Sequence, residues 1–189
     1  MRRQLWPAVK MMVVMTVLTG VIYPLAMTGI SQGVFPGQSN GSPVEHQGEV
    51  VGSRLVGQTF SGDEFFHPRP SAVDYDPTAS SGSNLGPTNP ELVSAIEARA
   101  VQYRLDNGLP PAASIPIDAV TASASGLDPH ISLANATLQA PRVAAARGMD
   151  LESVLQLVEI ATMDPAVGVF ETASVNVLEL NIALEEASS

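Results

Sequence analysis

Ser125, Asp128 and His130 bring the three residue types of a serine hydrolase within six positions, in the run VTASASGLDPHIS. Hydrolytic chemistry would need the imidazole to reach the hydroxyl while the carboxylate orients it. The members of such triads come from separate elements, and Pro129 stiffens the short link, so the spacing disfavours catalysis. Architecture accounts for the run better. Gly126 permits a turn with Leu127, Asp128 can accept from backbone N–H groups as an Asx-turn, and His130 fills a hydrogen-bonding position or faces a partner.

The stretch SGSNLGPTNP, residues 81–90, looks superficially like a phosphate loop. It lacks Gly-Lys-Ser/Thr and sits in an acidic region, which excludes phosphate cradling. Within Ser83, Asn84, Leu85, Gly86, Pro87, Thr88 and Asn89, the polar side chains are suited to bonding their own backbone and fixing a rigid loop. Such a loop serves either as a contact surface or as structure alone. Metal ligation is not expected: His46, His67 and His130 follow no ligand spacing, and Asp63-Glu64 and Asp74-x-Asp76 do not approach a calcium-loop pattern. Arg142 and Arg147 are candidates for ion pairs within the domain or for a charged contact with a partner.

The chain has no cysteine, which removes disulfides, thiolate nucleophiles and cysteine zinc sites. Beyond residue 44 it has six arginines, no lysine and all 19 acidic residues. That composition excludes nucleic-acid binding and any lysine-based phosphate, Schiff-base or general-base chemistry. No cofactor is expected to bind directly.

The elements that position these residues begin with an uncharged apolar run at 11–30, directly after Arg2, Arg3 and Lys10. Twenty residues span about 30 Å as a helix, which matches a bilayer core. The basic residues precede the span and the next ionisable chain of charge is Glu45, so the positive-inside bias puts the N-terminus in the cytoplasm and the rest outside. A cleaved signal peptide is the competing reading; its apolar region would be about 7–15 residues, and no small-x-small site closes this run. Gly20 and Pro24 can bend the helix, and Thr19 with Gly20 suits close helix packing in lipid.

The expected organisation is a cytoplasmic N-terminus at 1–10, a transmembrane helix at 11–30, a juxtamembrane connector at 31–43 and a mixed α/β (α+β) extracytoplasmic domain at 44–189. Within that domain, 49–60 reads as a strand or hairpin arm and 65–90, rich in proline, as a long structured loop. Thr88 or Asn89 caps a helix that Pro90 opens and Asn107-Gly108 closes. Residues 115–121 read as a short strand. Ser132 caps a helix to 138, Pro141 opens a further turn to 147, and Asp150 caps a helix over 151–163. The tail 175–184 fits strand and helix equally.

Four segments are more specific than generic loop: Arg69-Pro70-Ser71-Ala72; 81–90; 120–132 continuing through Arg142-Val143-Ala144 and Ala146-Arg147-Gly148; and VNVLELN at 175–181. With the single N-terminal span and the Gly57-Gln58 and Phe60 pattern, they resemble the C subunit of the Kdp-type potassium-importing P-type ATPase over essentially the whole chain. Ser81, Ala124 and Leu133 stand where that family tends to have glycine, glycine and proline, and Ser174 lies near a usual basic residue. Alanine at 124 implies a negative φ there.

The resemblance implies a non-catalytic accessory subunit in the plasma membrane. Its partners would be a potassium-translocating channel-like subunit, a P-type ATPase catalytic subunit and a further small membrane subunit, the complex rather than this chain handling ATP and K+. The family role is described as a catalytic chaperone that raises ATP affinity. With the domain outside the cell, that effect has to be indirect. Two other readings stand beside it: a freestanding anchored envelope binding domain, and a secreted hydrolase using Ser125 and His130.

Overall fold

The structure, a computed structural model, describes residues 2–163 and 173–188. The chain divides into two compact units, residues 1–43 and 44–189. The first is built on one continuous helical rod: α1 (Arg2–Val17), a π-helical turn (Leu18–Ile22) and α2 (Tyr23–Val34), followed by the short α3 (Pro36–Ser39). Among the described residues, the 32-residue stretch Arg3–Val34, with mean hydropathy 1.8 over its most apolar 18 residues, is the helix long and apolar enough to cross a membrane. Helical structure therefore reaches past the apolar run at both ends. Apart from Val9 at 38%, its Val, Leu and Ile residues are about half exposed or more, an arrangement suited to lipid or a partner rather than to water.

The second unit opens with a hairpin, β1 (Pro43–His46) and β2 (Glu49–Ser53). Gln47 and Gly48 turn it with φ of 53° and 84°, the two positive values a tight hairpin turn requires. The strand expected across 49–60 stops at Ser53. There the Ser53 hydroxyl accepts from the Leu55 N–H at 3.1 Å, turning the chain out of the ladder. The long loop follows as expected and ends at α4 (Pro90–Asp106), where the Asn89 carboxamide accepts from the Glu91 N–H at 2.8 Å and Pro90 fills the first turn.

Three sequence expectations are corrected beyond this point. The strand expected at 115–121 is instead a helical turn, α5 (Ile117–Val120). Its Asp118 accepts from the Ser132 N–H at 2.8 Å and hydroxyl at 2.9 Å and from the Asn135 side chain at 3.1 Å, a set of bonds that the turn positions. Pro141 does not open a separate turn, because α6 (Leu133–Arg147) runs through it unbroken. The donor lost at Pro141 would have met the carbonyl of Thr137, an exposed residue that water can serve. The helix capped by Asp150 is α7 (Leu151–Ile160), shorter than expected, since Thr162–Met163 form β4.

The ambiguous tail is both structures in succession, β5 (Ser174–Asn176) and then α8 (Val177–Ala187). With β3 (His130–Ser132), the strands make an antiparallel sheet in the order β3-β5-β4. Ile131 and Thr162 both face Val175 in its register. Helices α6, α7 and α8 close over it around fully buried Ile131, Val143, Val154, Val175, Leu180 and Leu184. Ala136, Ala140 and Ala144 give α6 a small-residue face in this core, as close helix packing requires. Mixed α/β character is thus confirmed by the structure.

Candidate partner interface

The segments singled out at 69–71 and 126–130 meet. Arg69 Nη1 donates to Asp128 Oδ2 at 2.9 Å, while its Nε is buried without an acceptor among the described residues. The Ser71 hydroxyl donates to the Gly126 carbonyl at 2.8 Å and accepts from the Val73 and Tyr75 N–H groups, each at 3.1 Å. The Tyr75 hydroxyl donates a hydrogen bond to the Arg69 carbonyl. Ser123 N–H reaches the Pro70 carbonyl at 3.2 Å and the Ser80 hydroxyl the Ser125 carbonyl at 3.1 Å, so two loops distant in sequence form one clamped block.

Glycines allow the close approach. Gly126 has φ of 70°, and a Cβ there would lie 2.5 Å from Val73 Cγ2 and 2.8 Å from the Ser81 carbonyl. Gly57 donates its N–H to the Leu127 carbonyl at 2.8 Å, and a Cβ on it would lie 2.6 Å from the Asp128 carbonyl oxygen. Ala124 is not among the residues with positive φ, in line with the expectation for that substitution. The Pro129 carbonyl accepts from Val177 N–H at 3.0 Å and ties the block to the start of α8.

The electrostatics follow from this packing. Burial on its own would raise the Asp128 carboxyl, yet contacts with His130 and Arg69 outweigh it and hold the group below the usual 3.8. The His130 backbone N–H bonds Asp128 Oδ1 at 3.0 Å, while the ring Nδ1 stands at 3.6 Å, beyond hydrogen-bond distance. Burial, then the Asp128 charge, pushes the Tyr75 hydroxyl up to about 12. The Ser125 hydroxyl accepts from the Leu127 N–H at 3.1 Å. No hydrogen bond among the described residues joins it to His130, so the geometry of a serine nucleophile with its base is not assembled.

The loop at 83–89 lies along the outside, with Ser83, Asn84, Gly86, Pro87 and Thr88 exposed and Leu85 half-buried. The Asn84 side chain donates to the Gly82 carbonyl at 3.1 Å with its own φ at 54°, and Asn89 N–H closes a turn on Gly86 at 3.0 Å. Arg142 is buried and donates to the carbonyls of Gly62 and Asp63 and to Asn107 and Gln139. Arg147 stacks over Phe65 at 5.2 Å and donates to the Glu64 carbonyl at 2.6 Å. Among the described residues, both arginines therefore hold the segment 62–65 rather than pairing with carboxylates.

Sequence reasoning missed a pair of amide brackets beside this segment. Asn181 accepts from Phe66 N–H at 2.8 Å and donates to its carbonyl at 3.0 Å, and Gln139 does the same to His67 at 2.7 and 3.0 Å. A side-chain amide in each case stands in for a neighbouring strand. The Gln139 amide also bonds Asn135, which in turn accepts from the Tyr103 hydroxyl at 2.8 Å. Their signal in the sequence is amides on otherwise apolar helix faces. In the first unit, Thr19 donates its hydroxyl to the Met15 carbonyl at 2.7 Å, and Gly20 and Pro24 flank the end of the π-helical turn.

Comparison with known proteins fits this arrangement of segments. Residues 5–186 match the family model described as K+-transporting ATPase, c chain. The chain is 51% identical over 187 residues to the potassium-transporting ATPase KdpC subunit of Mycobacterium tuberculosis, covering 98% of this chain and 99% of that one. To the KdpC subunit of Cereibacter sphaeroides it is 46% identical over 189 residues, 100% of each. Both matches run through the N-terminal apolar helix, the clamped loops and α8, and the chain belongs to the KdpC family, that of the c chain of K+-transporting ATPases.

Proposed function

We propose that this chain is a non-catalytic accessory subunit of an ATP-driven, high-affinity potassium importer, required for its assembly and full activity. One span anchors it in the plasma membrane with the N-terminus in the cytoplasm and residues 44–189 outside. The clamped block of 69–71 and 123–130, with the outer loop 83–89, is the contact surface for a potassium-translocating, channel-like subunit. The observation that carries this reading is the cross-bracing of loops that have no helix or strand of their own. A surface already rigid loses little entropy on docking, whereas its hydroxyls and carboxylate are committed to structure rather than to turnover.

An influence on the ATP affinity of a P-type ATPase subunit then travels through the assembly, since an external domain cannot reach cytoplasmic nucleotide. The test is a pull-down from detergent-solubilised native membranes through a tag on the N-terminus, followed by potassium-dependent ATPase assay. Recovery of a channel-like subunit and a P-type ATPase, with activity lost when this chain is omitted, is the expected result. Recovery of this chain alone, folded and inert, sinks the reading in favour of a freestanding envelope domain.

A further inference from the structure

Pro24 deprives the N-terminal helix of a donor near its middle, and the helix changes register just before it. The Tyr23 N–H bonds the Leu18 carbonyl five residues back, closing the π-helical turn. In an α-helix that N–H would serve Thr19, and residue 24, which as proline has no N–H, would serve Gly20. The adjacent carbonyls of Thr19 and Gly20 thus both lose the donors that an unbroken helix supplies. The Thr19 hydroxyl does not compensate, because it donates to Met15.

Gly20 lies at the centre of the apolar run 11–30. No water serves a backbone carbonyl in hydrocarbon, so one left unmet there is strongly disfavoured. The Gly20 side of the helix leaves room for a close neighbour: beyond the helix's own backbone, a Cβ on Gly20 would meet only Thr16 Cγ2, at 3.9 Å. π-helical turns concentrate at functional positions for the same reason, since they free backbone groups that a straight helix ties up. A second copy of this chain would lie parallel and set like positions against each other, carbonyl against carbonyl.

Resting on the proposed role as a membrane subunit, we infer that the Thr19 and Gly20 carbonyls form a hydrogen-bond receptor for a transmembrane helix of another subunit of the ATPase. That helix carries a donor side chain, serine, threonine, asparagine or glutamine, at the matching depth. The two Thr-Gly steps of the sequence, 19–20 and 28–29, make the test direct. In full-length chain labelled with carbonyl-¹³C threonine and ¹⁵N glycine, carbon–nitrogen filtered solid-state NMR in lipid vesicles reads two carbonyls, Thr19 and the internal control Thr28.

In the chain alone, Thr19 is expected upfield of Thr28; on assembly with the other subunits Thr19 moves downfield while Thr28 stays. Pro24→Ala supplies an N–H that serves Thr19 if the π register continues, and Tyr23 serves Thr19 if the helix returns to α register, so in either case Thr19 matches Thr28 in both samples and recovery of the complex falls roughly threefold to tenfold. A complex that forms without moving the Thr19 signal overturns the inference and leaves the subunit role standing. A shift that appears in the chain alone as its density in the vesicle rises assigns the receptor to a second copy, which also overturns it. A chain that assembles with nothing removes the subunit role and the receptor together.

Discussion

Gly57 shows how closely the clamped block is fitted, because a Cβ there would lie 2.6 Å from the Asp128 carbonyl and 2.9 Å from the Tyr75 ring. Gly57→Ala is expected to cost about 1–3 kcal/mol of stability, read from urea unfolding of the full chain in detergent. Two groups, His67 and Asp128, should give stability a stepped pH dependence. Burial, reinforced by Arg142, holds the His67 imidazole below its usual 6.5, and its Nε2 lies 2.9 Å from the Gly62 carbonyl. The unfolded chain therefore binds a proton there more readily than the folded one, so this contribution is complete above pH 6.5 and declines as pH falls below it. Asp128, held below 3.8, has the same sign at lower pH: its contribution is present above that value and is lost as pH falls through the folded pKa. Urea midpoints measured from pH 8 to 3 should show both steps. His67→Gln should remove the upper one, and Asp128→Asn the lower.

At the scale of elements, the amide brackets decide how the irregular segment lies between α6 and α8. Asn181→Leu keeps the forked outline of the side chain but leaves the buried N–H and carbonyl of Phe66 without partners. A loss of about 3 kcal/mol is expected on that account, against near neutrality for exposed Ser83→Ala, both measurable by thermal unfolding. The helices with strong end signals were legible: Asn89-Pro90 opens α4 and Asp150 opens α7 through local bonds that the sequence displays. Asp118 was not legible, since its bonds run to Ser132 and Asn135, fourteen and seventeen residues on, and local alternation of Ile and Val reads as strand. Pro141 was misread for a related reason. Its lost bond is a local cost, while the packing of Val143 and Ala140 that keeps α6 whole is tertiary. The meeting of 69–71 with 126–130 likewise lay beyond periodicity; only the family resemblance drew attention to both segments.

At the scale of the whole chain, charge and hydropathy divide the molecule into a basic leader, an apolar rod and an acidic unit. Under the proposed orientation, a C-terminal alkaline phosphatase fusion should be active and a C-terminal fluorescent-protein fusion dark. Replacing Arg2, Arg3 and Lys10 with glutamate should weaken that bias and give a mixed population of orientations, because those three residues are the positive charges flanking the apolar run. The amide brackets carry a last consequence, for hydrogen exchange. Phe66 and His67 belong to no helix or strand, yet their N–H groups are held by Asn181 and Gln139 inside the unit. Their amide deuterium uptake should be as slow as that of α6 and α8, while exposed amides at 83–88 exchange early, so that protection follows the side-chain bonds rather than the secondary structure.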